Sequence, residues 1–266
     1  MEDRGFGAHL VVDDLGVVTR DRPWLERLQI LLDQCGVVHL SAGRAIARDD
    51  VERVGSYLGL PAGAAVGEVV RPAREPRASE RPASYIESLH YDGVSAYSIQ
   101  ATARATPATP NLWVDMGAAY RTLPRDLRAI VDGHEALHGL VPRPGTAFAD
   151  FPALDKTRAR RRPLRIEHPR TGDELVYLPR SPASLVDGLP DDEGADVLRR
   201  LWTHVEQLEE RYEALASDDQ LFVWDGLATT HTNPAFPREH PLELWFVIVP
   251  YGTAPRSLSS MMRSQS

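Results

Sequence analysis

Two runs near the C-terminus constrain the architecture more than anything else in the chain. QLFVWD (220–225) and LELWFVIVP (242–250) are short, apolar and rich in aromatic and β-branched side chains, which reads as two buried strands. Between them lies ATTHTNPAFPREHP (228–241), a polar connection broken by prolines. Such strands need a sheet to bury them, and the sequence supplies partners. SYIESLHYD (84–92) alternates loosely, and YSIQATA (97–103) and NLWVDM (111–116) read as extended. PLRIEHP, RTGD and ELVYLP (163–179) form a hairpin signal.

Helical periodicity marks other stretches. WLERLQILLDQC (24–35) is amphipathic and is followed by a short apolar strand, GVVHL (36–40). ARDDVERVGSYLG (47–59) ends on a glycine, with Pro61 beyond it. A third helical stretch starts at Pro124 and runs into HEALH. The longest predicted helix spans 191–214, with Leu198, Leu201, Trp202, Val205, Leu208 and Tyr212 as one core-facing stripe. Residues 71–83 and 145–162 are polar and aperiodic, and read as mobile loops, the first a candidate lid. Helices come early, strands dominate afterwards, and no linker is evident. The expectation is a single α+β domain over 1–266, built on a largely antiparallel sheet or barrel.

Composition removes several function classes. A net charge of −8 argues against nucleic acid or an anionic membrane as partner, and no apolar run approaches a membrane span. The N-terminus lacks the basic start and apolar core of a signal peptide, so a cytoplasmic location is expected. Cys35 is the only cysteine, which excludes an intramolecular disulfide and any multi-cysteine metal site; its apolar context predicts a buried thiol. A small-molecule partner remains, with homo-oligomerisation left open.

Two patterns offer metal chemistry. The first is H-E-x-x-H at His134, Glu135 and His138, which on a helix would place two imidazoles on one face for zinc, as in a peptidase. Gly133 and Gly139 flank it and weaken such a helix, no third ligand is marked, and a plain helix C-terminus is the simpler expectation. The second pattern is LHYDG. In a strand His90 and Asp92 share a side and can share a metal, and His231 follows the strong strand QLFVWD. Two histidines and one carboxylate on one face of a metal form the triad of non-haem iron(II) oxygenases, with positions open for O2 and an organic ligand.

Several ordered motifs together resemble the taurine dioxygenase and clavaminate synthase-like family of iron(II)/2-oxoglutarate oxygenases. QCGVVHLSAG with YLGLP resembles the family's entry strand and helix, and LHYDG stands where its H-x-D lies. NLWVDMGAAYRTLPRDLRAIVDG is similar to its strand and Ala-Tyr helix. RIEHPRTGDELVYLP is similar to its His-Pro-x-Thr-Gly hairpin, and LFVWDGLATTHTNPAF to its Trp-Asp-Asn segment ending in histidine. The resemblance implies a double-stranded β-helix, a jelly-roll or cupin-like barrel with flanking helices. It implies iron(II), 2-oxoglutarate and O2, with His90, Asp92 and His231 as ligands and Trp224 and Asp225 as a strand-end pair, Asp225 serving the turn. The outcome would be hydroxylation, desaturation or cyclisation of a small organic molecule. A lone lysine, Lys156, among 30 basic residues suggests a GC-rich genome and, with the family, tailoring of an amino acid or natural-product intermediate. Asp92 speaks against a halogenase, which replaces that carboxylate. Tyr85, Tyr91 and Arg180 are candidates for substrate contact.

One family feature is missing. An arginine that holds the distal carboxylate of 2-oxoglutarate is expected in the strand after the distal histidine, but PLELWFVIVP contains no cation and places Glu243 there. Three resolutions stand. Glu243 faces away and Arg238 binds the cosubstrate; an arginine from another element does so; or the enzyme oxidises without 2-oxoglutarate. Asn111 stands where the family often has a cosubstrate-binding threonine.

Overall fold

A computed structural model describes residues 5–73, 95–104, 110–138, 141–142, 154–155, 160–179, 185–232, 237 and 239–251. Strand β1 (Ala8–Val12) leads into a single helical turn, α1 (Leu15–Val18), and then α2 (Arg22–Cys35). Leu25, Leu28, Gln29, Leu32 and Asp33 form the buried stripe of α2, at the spacing of one helix face. Gly36 turns α2 directly into β2 (Val37–Ala42). Its φ of +72° and the Phe6 ring 2.9 Å from where a Cβ would stand explain the glycine. Next come α3 (Arg48–Leu58), β3 (Gly67–Arg71), β4 (Ser95–Arg104) and β5 (Asn111–Asp115). The middle of the chain holds α4 (Met116–Arg121), α5 (Arg125–Gly133), β6 (Glu135–His138), β7 (Val141–Pro142), β8 (Leu154–Asp155), β9 (Arg160–Pro163), β10 (Arg165–Glu167), β11 (Glu174–Val176), β12 (Leu185–Val186) and α6 (Asp191–Glu206). The chain closes with β13 (Arg211–Ala214), β14 (Gln220–Asp225), β15 (Thr229–Thr232) and β16 (Leu242–Pro250).

The chain divides into two compact units, residues 1–113 with 211–266, and residues 114–210. The first is built on a six-stranded sheet ordered β1-β2-β14-β4-β16-β3. Apart from the parallel β1–β2 pair, the pairings recorded for this sheet are antiparallel. One face is closed by α2 and α3 over an aliphatic core that includes Leu28, Leu32, Val38, Leu40, Val51, Val54, Ile99, Ala101, Leu221, Val223, Val247 and Val249. Burial of those side chains is the main driving force for this layer. Asp50 is buried in α3, but three groups satisfy it: Ala47 N–H donates to it, and Arg44 and Arg53 pair with it.

On the opposite face β2 and β14 meet a second, three-stranded sheet, β13-β5-β15. Val37, Trp113, Ala216, Phe222 and Trp224 form the core there. The Trp113 ring lies 5.1 Å from Phe222 and 5.8 Å from Trp224, centroid to centroid.

In the second unit Asp115 caps α4 through Gly117 N–H at 2.7 Å, and burial pushes the Asp115 carboxyl up from its usual range. Antiparallel β10–β11 is the hairpin read from RTGD, and β6 is the middle strand of β12-β6-β9.

Four expectations need correction. The stretch 191–214 is not one helix: α6 stops at Glu206, and Arg211–Ala214 is strand β13, so Leu201 and Val205 are helix core whereas Tyr212 belongs to a sheet. The α5 helix ends at Gly133 rather than Gly139, with His134 as its extended cap. Residues 145–162 include two strands, Leu154–Asp155 and Arg160–Pro163, and Arg71 of the stretch 71–83 ends β3. Cys35 is half-buried rather than fully buried, because α2 ends at it and turns into β2.

Candidate functional site

The His134–Glu135–His138 pattern is not a zinc site of the helical kind. Helix α5 ends before it, and Glu135–His138 pairs with β9 as a strand. Residues four apart in a strand stand roughly 13 Å apart, well beyond the reach of one shared ion. The strand wins because β9 and β12 flank β6 on both sides and take up its backbone hydrogen bonds.

His231 lies in β15, which folds back from β14 through a turn held by Asp225. The Asp225 carboxylate accepts from Leu227 N–H at 2.9 Å and Ala228 N–H at 2.8 Å, and Thr229 hydroxyl donates to its carbonyl at 2.7 Å. Asp225 is therefore the turn residue read from the sequence. This turn sets the Trp224 ring against the His231 imidazole, centroids 5.0 Å apart, with His231 only 3% exposed. Asn111 opens the adjoining strand β5, and alternation puts its side chain on the same side as Trp113. It is 2% exposed, and its Nδ2 has no partner among the described residues.

His90 and Asp92 lie outside the described residues, as do Arg238, Tyr85, Tyr91 and Arg180. Glu243 is described. It pairs with Val70 and Arg104, and β16 alternation places it on the face opposite Leu242. The glutamate thus faces away from Thr102 and the other buried polar side chains of β4, and Leu242 and Leu244 stand on their side instead.

The polar residues of β4 are not among the site residues expected from the sequence. Ser98, Gln100 and Thr102 are all buried, and they alternate with Tyr97, Ile99 and Ala101 of the helix-side core. Thr102 is 0% exposed, and its hydroxyl has no partner among the described residues. The signal was present: YSIQATA is polar at every second position, which in a buried strand marks one face for a purpose other than packing. A row of side chains also crosses this face. His9, His39, Phe222, Gln100 and Phe246 are successive register partners over five strands, with His9 stacked on His39 at 4.4 Å and His39 on Phe222 at 4.5 Å. Burial, with His9 beside it, lowers the His39 pKa to about 4.

The buried imidazole of His231 suits a metal, and the Asn111 amide and Thr102 hydroxyl, buried and without partners among the described residues, suit an anionic cosubstrate. Comparison with known proteins agrees. The family model for taurine catabolism dioxygenase TauD, TfdA family, matches residues 4–247. A taurine dioxygenase from Burkholderia xenovorans superposes with a TM-score of 0.64 at 22% identity, covering 92% of this chain and 86% of that one. AAD-2, solved in complex with Mn(II) and N-oxalylglycine, gives 0.71 at 16% identity, covering 96% and 98%. The PvcB protein from Pseudomonas aeruginosa gives 0.69 at 18% identity, covering 95% and 89%. At these identities the structural likeness shows the fold, while the family match spans nearly the whole chain. The chain belongs to the TauD/TfdA family of dioxygenases, enzymes that use iron(II), 2-oxoglutarate and O2.

Proposed function

We propose that residues 1–266 form one oxygenase domain on a double-stranded β-helix, which binds iron(II) through His90, Asp92 and His231. Its reaction is hydroxylation, desaturation or cyclisation of a small organic molecule such as an amino acid or natural-product intermediate. The observation that carries this reading is His231, a buried imidazole fixed against Trp224 at the end of a turn, one strand from the amide of Asn111. Bound iron would supply the oxidative chemistry with O2 and 2-oxoglutarate. The chain's own part is positional. Trp224 sets the plane of the His231 ring, and Asn111 donates to the cosubstrate. Val69, Phe246 and Ile248, each about two-fifths exposed, put apolar side chains on the same sheet face and favour a substrate with an apolar body. Among the described residues no helix is long and apolar enough to cross a membrane. The single cysteine and the acidic charge fit a cytoplasmic enzyme with a small-molecule partner.

The test is anaerobic. Protein loaded with iron(II) and titrated with 2-oxoglutarate is expected to develop the visible charge-transfer band of the chelate. His90→Ala and His231→Ala are expected to abolish it. A protein that binds no iron refutes the triad. A second reading, oxidation without 2-oxoglutarate, is favoured by a β16 that contains no arginine or lysine, with Glu243 at the position where the family arginine is expected. Tight iron binding with no band supports it, and turnover that releases succinate excludes it.

A further inference from the structure

The strand that leads away from His231 carries Leu242, Leu244, Phe246 and Ile248 on its non-helical face, and β16 contains no arginine or lysine. A cation stands one strand over. Arg71, the last residue of β3, is the register partner of Leu242. Gly67 of the same strand lies so close under the Phe246 ring that a Cβ there would meet ring atoms at 2.4 Å. Gly67 and Phe246 therefore share a face, and strand alternation puts Val69 and Arg71 on that face with Leu242 and Leu244.

Arg71 is half-buried. Its Nη2 donates to the carbonyl of Pro237 at 2.9 Å, in the connection that runs from His231 to β16. That bond ties the guanidinium to the start of the strand where the family arginine is expected. A neutral donor shares the face: Thr102, the register partner of Leu244 on the other side of β16, has a fully buried hydroxyl without a partner among the described residues. Glu243, with its opposing charge, projects to the other face.

We propose that Arg71 binds the distal carboxylate of 2-oxoglutarate, so that β3 supplies across the strand pair the cation that β16 lacks. This rests on the iron(II)/2-oxoglutarate reading above. Arginine suits the task because its planar fork presents several N–H donors to a carboxylate and stays charged when partly buried. Thr102 is positioned to add an uncharged hydrogen bond from the same face.

The experiment measures binding, not turnover. Iron(II)-loaded protein without O2 is titrated with 2-oxoglutarate and, separately, with 2-oxobutyrate, which makes the same chelate but has no distal carboxylate. Arg71→Gln is expected to weaken 2-oxoglutarate by about 30-fold, the scale of a lost charge-assisted hydrogen bond, and to leave 2-oxobutyrate unchanged. Leu242→Arg added to Arg71→Gln is expected to recover most of the loss, because the new cation enters the same face from the paired strand. Arg238→Gln is expected to change nothing. Unaltered 2-oxoglutarate affinity in Arg71→Gln overturns the assignment. So does a loss confined to the primary substrate, which would make Arg71 a substrate anchor. Should Arg71→Gln fail to fold, Arg71→Lys decides: it keeps the charge without the fork, and wild-type affinity for 2-oxoglutarate would contradict the proposal. If wild-type protein binds iron but no 2-oxoglutarate, the cosubstrate reading itself fails, separately from the choice of arginine.

Discussion

The two faces of the six-stranded sheet are made by alternate residues of the same strands, yet they differ in kind. Under α2 and α3 the sheet offers Val38, Leu40, Ile99, Ala101, Leu221, Val223, Val247 and Val249, an apolar layer. The other face offers His39, Ser98, Gln100 and Thr102 among Phe222 and Trp224, and these polar groups are buried too, Thr102 completely. Burying apolar surface stabilises the fold, whereas burying a hydroxyl or amide without a partner costs about 1–3 kcal/mol. One face is thus built for stability. The other accepts such a cost at the Thr102 hydroxyl, which has no partner among the described residues, and a bound ligand can offset it.

Breaking the apolar face should cost the most stability and leave the site untouched. Leu40→Ala removes a fully buried side chain in the middle of β2 and is expected to lower unfolding free energy by about 3 kcal/mol. Chemical denaturation should show this, while a metal titration of the folded variant shows unchanged iron affinity.

The polar face should instead respond to pH. The His39 pKa is depressed from 6.5 to about 4 in the folded protein, so the unfolded chain binds the extra proton first. Stability from this group is complete above about pH 6.5 and is lost as pH falls toward 4, by up to about 3 kcal/mol. Urea unfolding of metal-free protein at pH 7, 5.5 and 4 should trace that loss. His39→Phe, which keeps the stack on Phe222 but gives up the contact with Tyr212 hydroxyl at 3.1 Å, should flatten the pH dependence.

The smallest expected effect separates a binding role from a structural one. Thr102→Val replaces a hydroxyl that lacks a described partner, so its stability should hold or rise by up to about 1 kcal/mol. Its 2-oxoglutarate affinity should fall several-fold. A variant that loses stability in thermal melts would mean that Thr102 is structural.

Most of the large sheet was legible in the sequence, because buried strands of six to ten residues leave dense runs of β-branched and aromatic side chains. QLFVWD and LELWFVIVP became β14 and β16, and RTGD became the β10–β11 turn. Shorter strands were hidden. RYEA looked like the last turn of a helix because Leu208 and Tyr212 continue the stripe of α6, and EALH looked like the end of α5. In both places hydrogen bonding to distant strands overrode the local period, which a short segment cannot announce.

The sequence alone carried the strand character of β14 and β16, the family resemblance, and the expectation that His90, Asp92 and His231 hold iron. It also showed that the strand after His231, LELWFVIVP, carries no arginine. Where Glu243 faces and what stands opposite Leu242 follow from the folded sheet. Arg71 and Leu242 are 171 positions apart in the chain and become neighbours through strand register alone. Register is a property of the paired sheet, fixed by which faces are buried and not by either strand's own sequence.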